Sequence, residues 1–177
     1  IEKELRQLGM KKAKFLIAVN PVEELTLTGR DEVDMLFSAN AGEELQSLSK
    51  VASGGELSRM MLAIKTVLSR ADFVQTLIFD EIDTGISGSA ADRVGKKLHQ
   101  LSADSQVLCV THQAQIAAFA DNHLFISKSV HDERTFTQVD SLDEDGRVRE
   151  LARIVGGEQI TDSALNHAKQ LLDTARE

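Results

Sequence analysis

The chain contains no tryptophan and no tyrosine, and it has a single proline, Pro21, and a single cysteine, Cys109. One cysteine excludes an internal disulfide framework and fits a reducing compartment. No apolar run approaches the ~18 residues that a membrane-spanning helix requires. No charged-then-apolar leader opens the sequence, so secretion is unsupported. The first residue is Ile1 rather than Met, as expected of a fragment. Positive charge is also scarce. Lys and Arg total 20 against 28 Asp and Glu, and the resulting net charge of −8 argues against a domain that coats nucleic acid by electrostatics alone. The basic residues that are present cluster early, with Lys3, Arg6, Lys11, Lys12 and Lys14 against Glu2 and Glu4. A local DNA contact and a solvated helix end both fit that cluster.

What is present is an ordinary globular composition, 42% hydrophobic and 27% charged over 177 residues, enough for one domain with a real core. Ile1, Leu5 and Leu8 share one helical face, too few positions to define a coiled coil by themselves. Phe15 to Val19 forms an apolar run ended by Asn20-Pro21. Val33, Met35 and Phe37 alternate with Asp34, Leu36 and Ser38, which predicts a strand paired with the first across a polar loop containing Gly29. Residues Asn40 to Ala52 show no period and read as a connection.

A helical pattern follows. Leu57, Met60, Met61, Ile64, Val67 and Leu68 make an apolar stripe, with Ser58, Arg59, Lys65, Thr66 and Arg70 on the other face. Thr76 to Phe79 is a short apolar run that ends in Asp80-Glu81. After Gly85 and Gly88, Ala91, Val94, Leu98 and Leu101 mark a second helix. Val107 to Val110 repeats the apolar run and ends in Thr111-His112. A short helix (Ile116, Ala120), strands at Leu124 to Ile126 and Thr135 to Val139, and two closing helices complete the chain. Their stripes are Val148/Leu151/Ala152/Val155 and Leu165/Ala168/Leu171/Leu172/Ala175. Apolar strands alternating with amphipathic helices indicate an α/β domain with a largely parallel, buried sheet flanked by helices. Ligands of such sheets sit outside the carboxyl ends of the strands, where Asp80-Glu81 and Thr111-His112 lie.

Each polar cluster suits phosphate chemistry, and each has a plainer reading beside it. Asp80 can hold a magnesium ion through water, because hard cations take oxygen ligands and magnesium keeps much of its hydration shell. Glu81 can accept a proton from an attacking water. The plainer reading is a strand that ends in solvated acids. Ser53-Gly54-Gly55-Glu56 stands at a helix start, where unpaired N–H groups and partial positive charge bind phosphate and glycines allow close approach. Equally, Ser53 can simply cap the helix. His112 can bond a terminal phosphate or its attacking water, or it can be structural. Cys109-x-x-His112 lacks the second ligand pair that a structural zinc site needs, and Cys109 reads as an inert core thiol.

The order and spacing of these elements are more specific than any one of them. Ser-Gly-Gly-Glu before a helix, an apolar strand ending in Asp-Glu, then Asp-x-Gly, a helix and a strand ending in His resembles the C-terminal lobe of ATP-binding-cassette ATPases. The longer stretches Val51-Ala52-Ser53-Gly54-Gly55-Glu56-Leu57-Ser58-Arg59 and Phe79-Asp80-Glu81-Ile82-Asp83-Thr84-Gly85-Ile86-Ser87-Gly88 resemble the RecN family of bacterial DNA-repair proteins. That family is related to the structural-maintenance-of-chromosomes (SMC) ATPases. Gln106 to His112 and Arg153 to Gly157 fit it too. Where the family often has Leu-Pro after the histidine, this chain has Gln113-Ala114, a departure that bears on the start of the following helix.

The resemblance implies that residues 1–177 are the C-terminal lobe of an ATPase head, with residues 1–10 a coiled-coil stump. It makes residues 53–56 the signature motif, 77–81 the Walker B strand, 83–85 the D-loop and His112 the switch histidine. It assigns Asp80 to magnesium, Glu81 to water activation, His112 to the terminal phosphate, and Ser53, Gly54, Gly55, Glu56 and Asp83 to ATP. The implied partners are the N-terminal lobe of the same protein, a second head across sandwiched ATP, and DNA. The implied location is the cytoplasm, at the nucleoid and not in a membrane. The Walker A loop, Gly-x4-Gly-Lys-Ser/Thr, is absent; Gly88 to Lys97 has the wrong spacing and lies in a predicted helix. The segment alone is therefore expected not to hydrolyse ATP. A head lobe of another SMC-type or ATP-binding-cassette protein, and a non-catalytic interaction domain of the same fold, remain alternatives.

Overall fold

A computed structural model describes residues 1–51, 53–68, 74–131 and 134–176; Ala52 and Arg70, both assigned above, lie outside the described residues. Where length alone suggests one domain, the chain divides into two compact units, Ile1–Val110 and Thr111–Glu177.

The first unit opens with helix α1 (Glu2–Gln7). Gly9, at φ +90°, ends it: Gly9 N–H donates to Arg6 O and Met10 N–H to Leu5 O, the paired bonds of a glycine-terminated helix. Leu5 and Leu8 are fully buried in this unit. Strands β1 (Lys14–Thr26), β2 (Gly29–Ser38) and β3 (Gln46–Ser47) form an antiparallel sheet in that order. The expected end of the first strand at Asn20-Pro21 is not observed. Pairing runs through Asn20↔Glu32 and Pro21↔Asp31, then shifts register before Thr26↔Gly29. Pro21 is tolerated because β1 is an edge strand, where a missing N–H breaks no ladder. The region expected to be a featureless connection holds β3 and a short 3-10 turn, Leu48–Lys50.

Helix α2 (Gly54–Leu68) buries Gly55, Arg59, Met60, Leu62, Ala63 and Ile64. That face is rotated from the expected stripe, since Met61, Val67 and Leu68 are exposed and Arg59 is inside. Strand β4 (Thr76–Phe79) follows, then helix α3 (Ser89–Leu101), whose buried Ala91, Val94, Leu98 and Leu101 are the predicted stripe. Lys97 on α3 pairs with Glu4 at 2.7 Å, and Arg93 Nε donates to Gln7 O at 2.6 Å, pinning α1 onto α3. Strand β5 (Gln106–Cys109) pairs in parallel with β4, from Thr76↔Gln106 to Phe79↔Cys109. This parallel pair carries the acids. Leu77 and Phe79 face the core, whereas Ile78 is 71% exposed and Leu108 and Val110 are exposed as well.

The second unit consists of α4 (Ala114–Ala117), an antiparallel ribbon of β6 (Leu124–His131) and β7 (Arg134–Ser141), α5 (Glu144–Gly156) and α6 (Asp162–Arg176). Asp143 caps α5 by accepting from Gly146 N–H at 2.8 Å. The core is built from small residues and leucines: Ala114, Ala117, Leu151, Ala152, Ala168 and Leu172 are buried together. Arg147 is buried among them and donates to Ala118 O and Ala120 O, fixing the turn after α4. No helix among the described residues is long and apolar enough to cross a membrane.

Candidate functional site

The tip of β4 turns sharply. Asp80 and Glu81 are exposed, whereas Ile82 and Asp83 are buried. Glu81 is the one non-glycine among the described residues with positive φ, at +55°. The left-handed region costs an ordinary side chain free energy, and such residues concentrate at functional sites. The turn is held from within: Asp80 Oδ1 accepts from Glu81 N–H at 2.9 Å, and Thr84 N–H donates to Glu81 O at 3.0 Å. Ile86 N–H donates to Asp83 O, and Gly85 supplies φ +76°. Residues 80–85 thus form a short strap across the carboxyl end of β4.

The start of α2 packs on this strap. Ser53 Oγ accepts from Glu56 N–H at 3.4 Å, so its capping role is real. A Cβ at Gly54 would lie 2.5 Å from Glu81 Oε2. One at Gly55 would lie 2.8 Å from Thr84 Cβ, 3.0 Å from Glu81 O and 3.1 Å from Thr84 O. Close approach therefore requires glycine at Gly55, where backbone stands in the way, whereas at Gly54 only the movable end of the Glu81 side chain does. One turn on, Ser58 Oγ donates to Asp80 O at 2.7 Å, and buried Arg59 Nη1 donates to Ile82 O at 3.1 Å and Thr84 O at 2.7 Å.

The first unit so brings together Ser53, Gly54, Gly55, Glu56, Asp80, Glu81 and Asp83. His112 belongs to the second unit, where it is exposed. Arg59 was missed as a site residue, because a charged residue in an amphipathic helix reads as solvated. Its only sequence signal is that it falls one helical turn after Gly55, on the same face. Cys109, in β5, has its thiol pushed up to about 12, first by burial and then by Asp83 and Asp80. It is therefore protonated and unreactive near neutral pH.

Glu81 N–H donates to one oxygen of Asp80, Oδ1, and a carboxylate has a second oxygen with which to meet a cation or its water. No group of three or more His, Cys, Asp or Glu able to hold a metal is found among the described residues. This donor set fits magnesium, which keeps several waters and takes further oxygens from phosphate, and it does not fit a closed protein cage. A helix start with close-packed glycines, next to a carboxylate pair, can bind phosphate and activate water.

Curated relatives match this chain from end to end. The DNA repair protein RecN of Bacillus subtilis is 46% identical over 191 residues, covering 99% of this chain and 33% of that protein. RecN of Vibrio cholerae is 46% identical over 176 residues, covering 99% and 32%. Along its whole length the chain matches the RecN family. It spans about a third of the length of these relatives. No family model matches. Among solved structures, the Smc head domain with coiled coil and joint from Pyrococcus yayanosii has a TM-score of 0.56 at 20% identity, covering 99% of this chain and 28% of that one. The Smc head domain from Pyrococcus furiosus, bound to the C-terminal domain of ScpA, has a TM-score of 0.55 at 20% identity, covering 99% and 36%. That likeness concerns fold alone: this chain has an α/β fold like that of part of an Smc head domain.

Proposed function

We propose that this chain is the C-terminal lobe of a RecN-type ATPase head acting in DNA double-strand-break repair and recombination. In this role it supplies the acid and signature half of a composite ATP site. The observation that carries the reading is the packing of Gly54 and Gly55 against Glu81 and Thr84, which joins a phosphate-binding helix start to a carboxylate pair. ATP held on the Walker A loop of the N-terminal lobe meets Asp80 and Glu81 of its own head. Ser53, Gly54, Gly55 and Glu56 of each head cap the nucleotide of the other, with Asp83 beside them. Asp80 holds magnesium, which neutralises phosphate charge when bound. Glu81 takes the proton of the attacking water, and His112 contacts the terminal phosphate.

The exposed apolar face of Ile78, Leu108 and Val110 supports an N-terminal lobe as neighbour, because parallel strands are ordinarily covered on both faces. In this reading residues 1–10 lead in from a coiled coil, the heads pair as a homodimer on DNA at the nucleoid, and the segment alone is inactive. In the full-length protein, Glu81→Gln keeps shape and hydrogen bonding but cannot take a proton. Hydrolysis then falls ~100-fold or more, on the scale of general-base contributions, while ATP binding survives and ATP-bound dimers accumulate. Single-turnover hydrolysis and sizing in ATP measure both; undiminished turnover sinks the reading.

A further inference from the structure

Arg59 ties α2 to the strap through two backbone carbonyls. Its side chain is 6% exposed, and Nη1 bonds the carbonyls of Ile82 and Thr84, which bracket Asp83, itself 2% exposed. Burial pulls the Arg59 pKa down, against the raising pull of Glu56 and Asp83. Its Nε is buried with no hydrogen-bond partner among the described residues. A buried cation with an unsatisfied N–H carries a desolvation cost, which the bonds to the two carbonyls offset. An apolar side chain cannot grip two backbone carbonyls.

The grip completes a set. Gly55 touches Thr84, Ser58 bonds Asp80 O, and Arg59 bonds the carbonyls on either side of Asp83. Of these, only Arg59 bonds both sides of the buried acid. We propose that Arg59 is a positioning residue that makes the start of α2 and residues 80–84 one rigid body. Phosphate capture at Ser53-Gly54-Gly55 and the setting of Glu81 and Asp83 are then a single event. The proposal rests on the ATPase reading above.

The test uses the full-length protein with Arg59→Met, Arg59→Lys and, as a control, Glu81→Gln. Melting temperature, ATP affinity and kcat are measured for each. Arg59→Met is expected to fold and to bind ATP within about 3-fold of the parent, yet to hydrolyse it on the order of 10- to 100-fold more slowly, the scale of misplacement near a reacting centre. Arg59→Lys keeps charge on a flexible stem with a compact head, so its kcat should fall between parent and Met, again with affinity kept. A folded variant of either kind hydrolysing at the parental rate overturns the proposal. So does a parallel fall of kcat, ATP affinity and melting temperature, which marks a merely structural role. Should Arg59→Met not fold, Arg59→Lys decides by the same criteria. If Glu81→Gln leaves hydrolysis intact, the ATPase reading fails and this proposal with it. If Glu81→Gln abolishes hydrolysis while the Arg59 variants are unaffected, the positioning role alone fails.

Discussion

Gly54 and Gly55 are neighbours in sequence with opposite kinds of neighbour in space. A methyl at Gly54 meets the far end of the Glu81 side chain, which can swing away; one at Gly55 meets Thr84 Cβ and two backbone carbonyls, which cannot. Gly54→Ala should therefore change stability by no more than about 0.5 kcal/mol while displacing the carboxylate, whereas Gly55→Ala should cost about 1–3 kcal/mol as an overpacked site. Urea denaturation of the two variants checks this, and equal losses would contradict the packing. At this scale the grouping of the candidate residues, though not their roles, was legible in the sequence. Ser53, Gly54, Gly55, Asp80, Glu81 and Asp83 stand in a chemically meaningful order, and the fold brings them together. Arg59 was not legible, because what buries it is a pair of carbonyls 23 and 25 residues further along the chain. Helical periodicity carries no information about such acceptors.

Elements were legible where one local rule governed them. Thr76–Phe79 and the buried stripe of α3 follow directly from apolar patterning. The continuation of β1 past Pro21 did not, since proline is excluded from a central strand but not from an edge, and edge position is a property of the sheet. In the second unit, the segment entering β6 carries a titratable group of its own. His123 Nδ1 is buried without a partner among the described residues, and burial, then the nearby Arg147, pull its pKa down, against the raising pull of Glu150. Above the ordinary value of about 6.5 the imidazole is neutral in both folded and unfolded chain. As the pH falls, the unfolded chain takes the proton first, so stability is lost until the lower folded pKa is passed. His123→Gln should flatten this part of the stability profile between pH 7.5 and 5, read by thermal denaturation. An unchanged slope would show that His123 does not carry it.

For the whole molecule, one face of the parallel pair, at Ile78, Leu108 and Val110, is exposed, and it is the face proposed above to meet an N-terminal lobe. The division into two units at Val110 was not legible, because length and composition bound the size of a core without saying how contacts partition. It also leaves His112 in a different unit from the acids it is proposed to join. The central claim is that each ATP site combines this segment's signature turn from one head with the Walker A loop and acids of the other. It is tested most directly by mixing two inactive full-length proteins, Ser53→Arg and a Walker A lysine variant. A mixed dimer concentrates both lesions in one site and leaves the other intact. The expected result is ATP hydrolysis above that of either protein alone. Mixed dimers that demonstrably form yet hydrolyse no faster than the separate variants would contradict it.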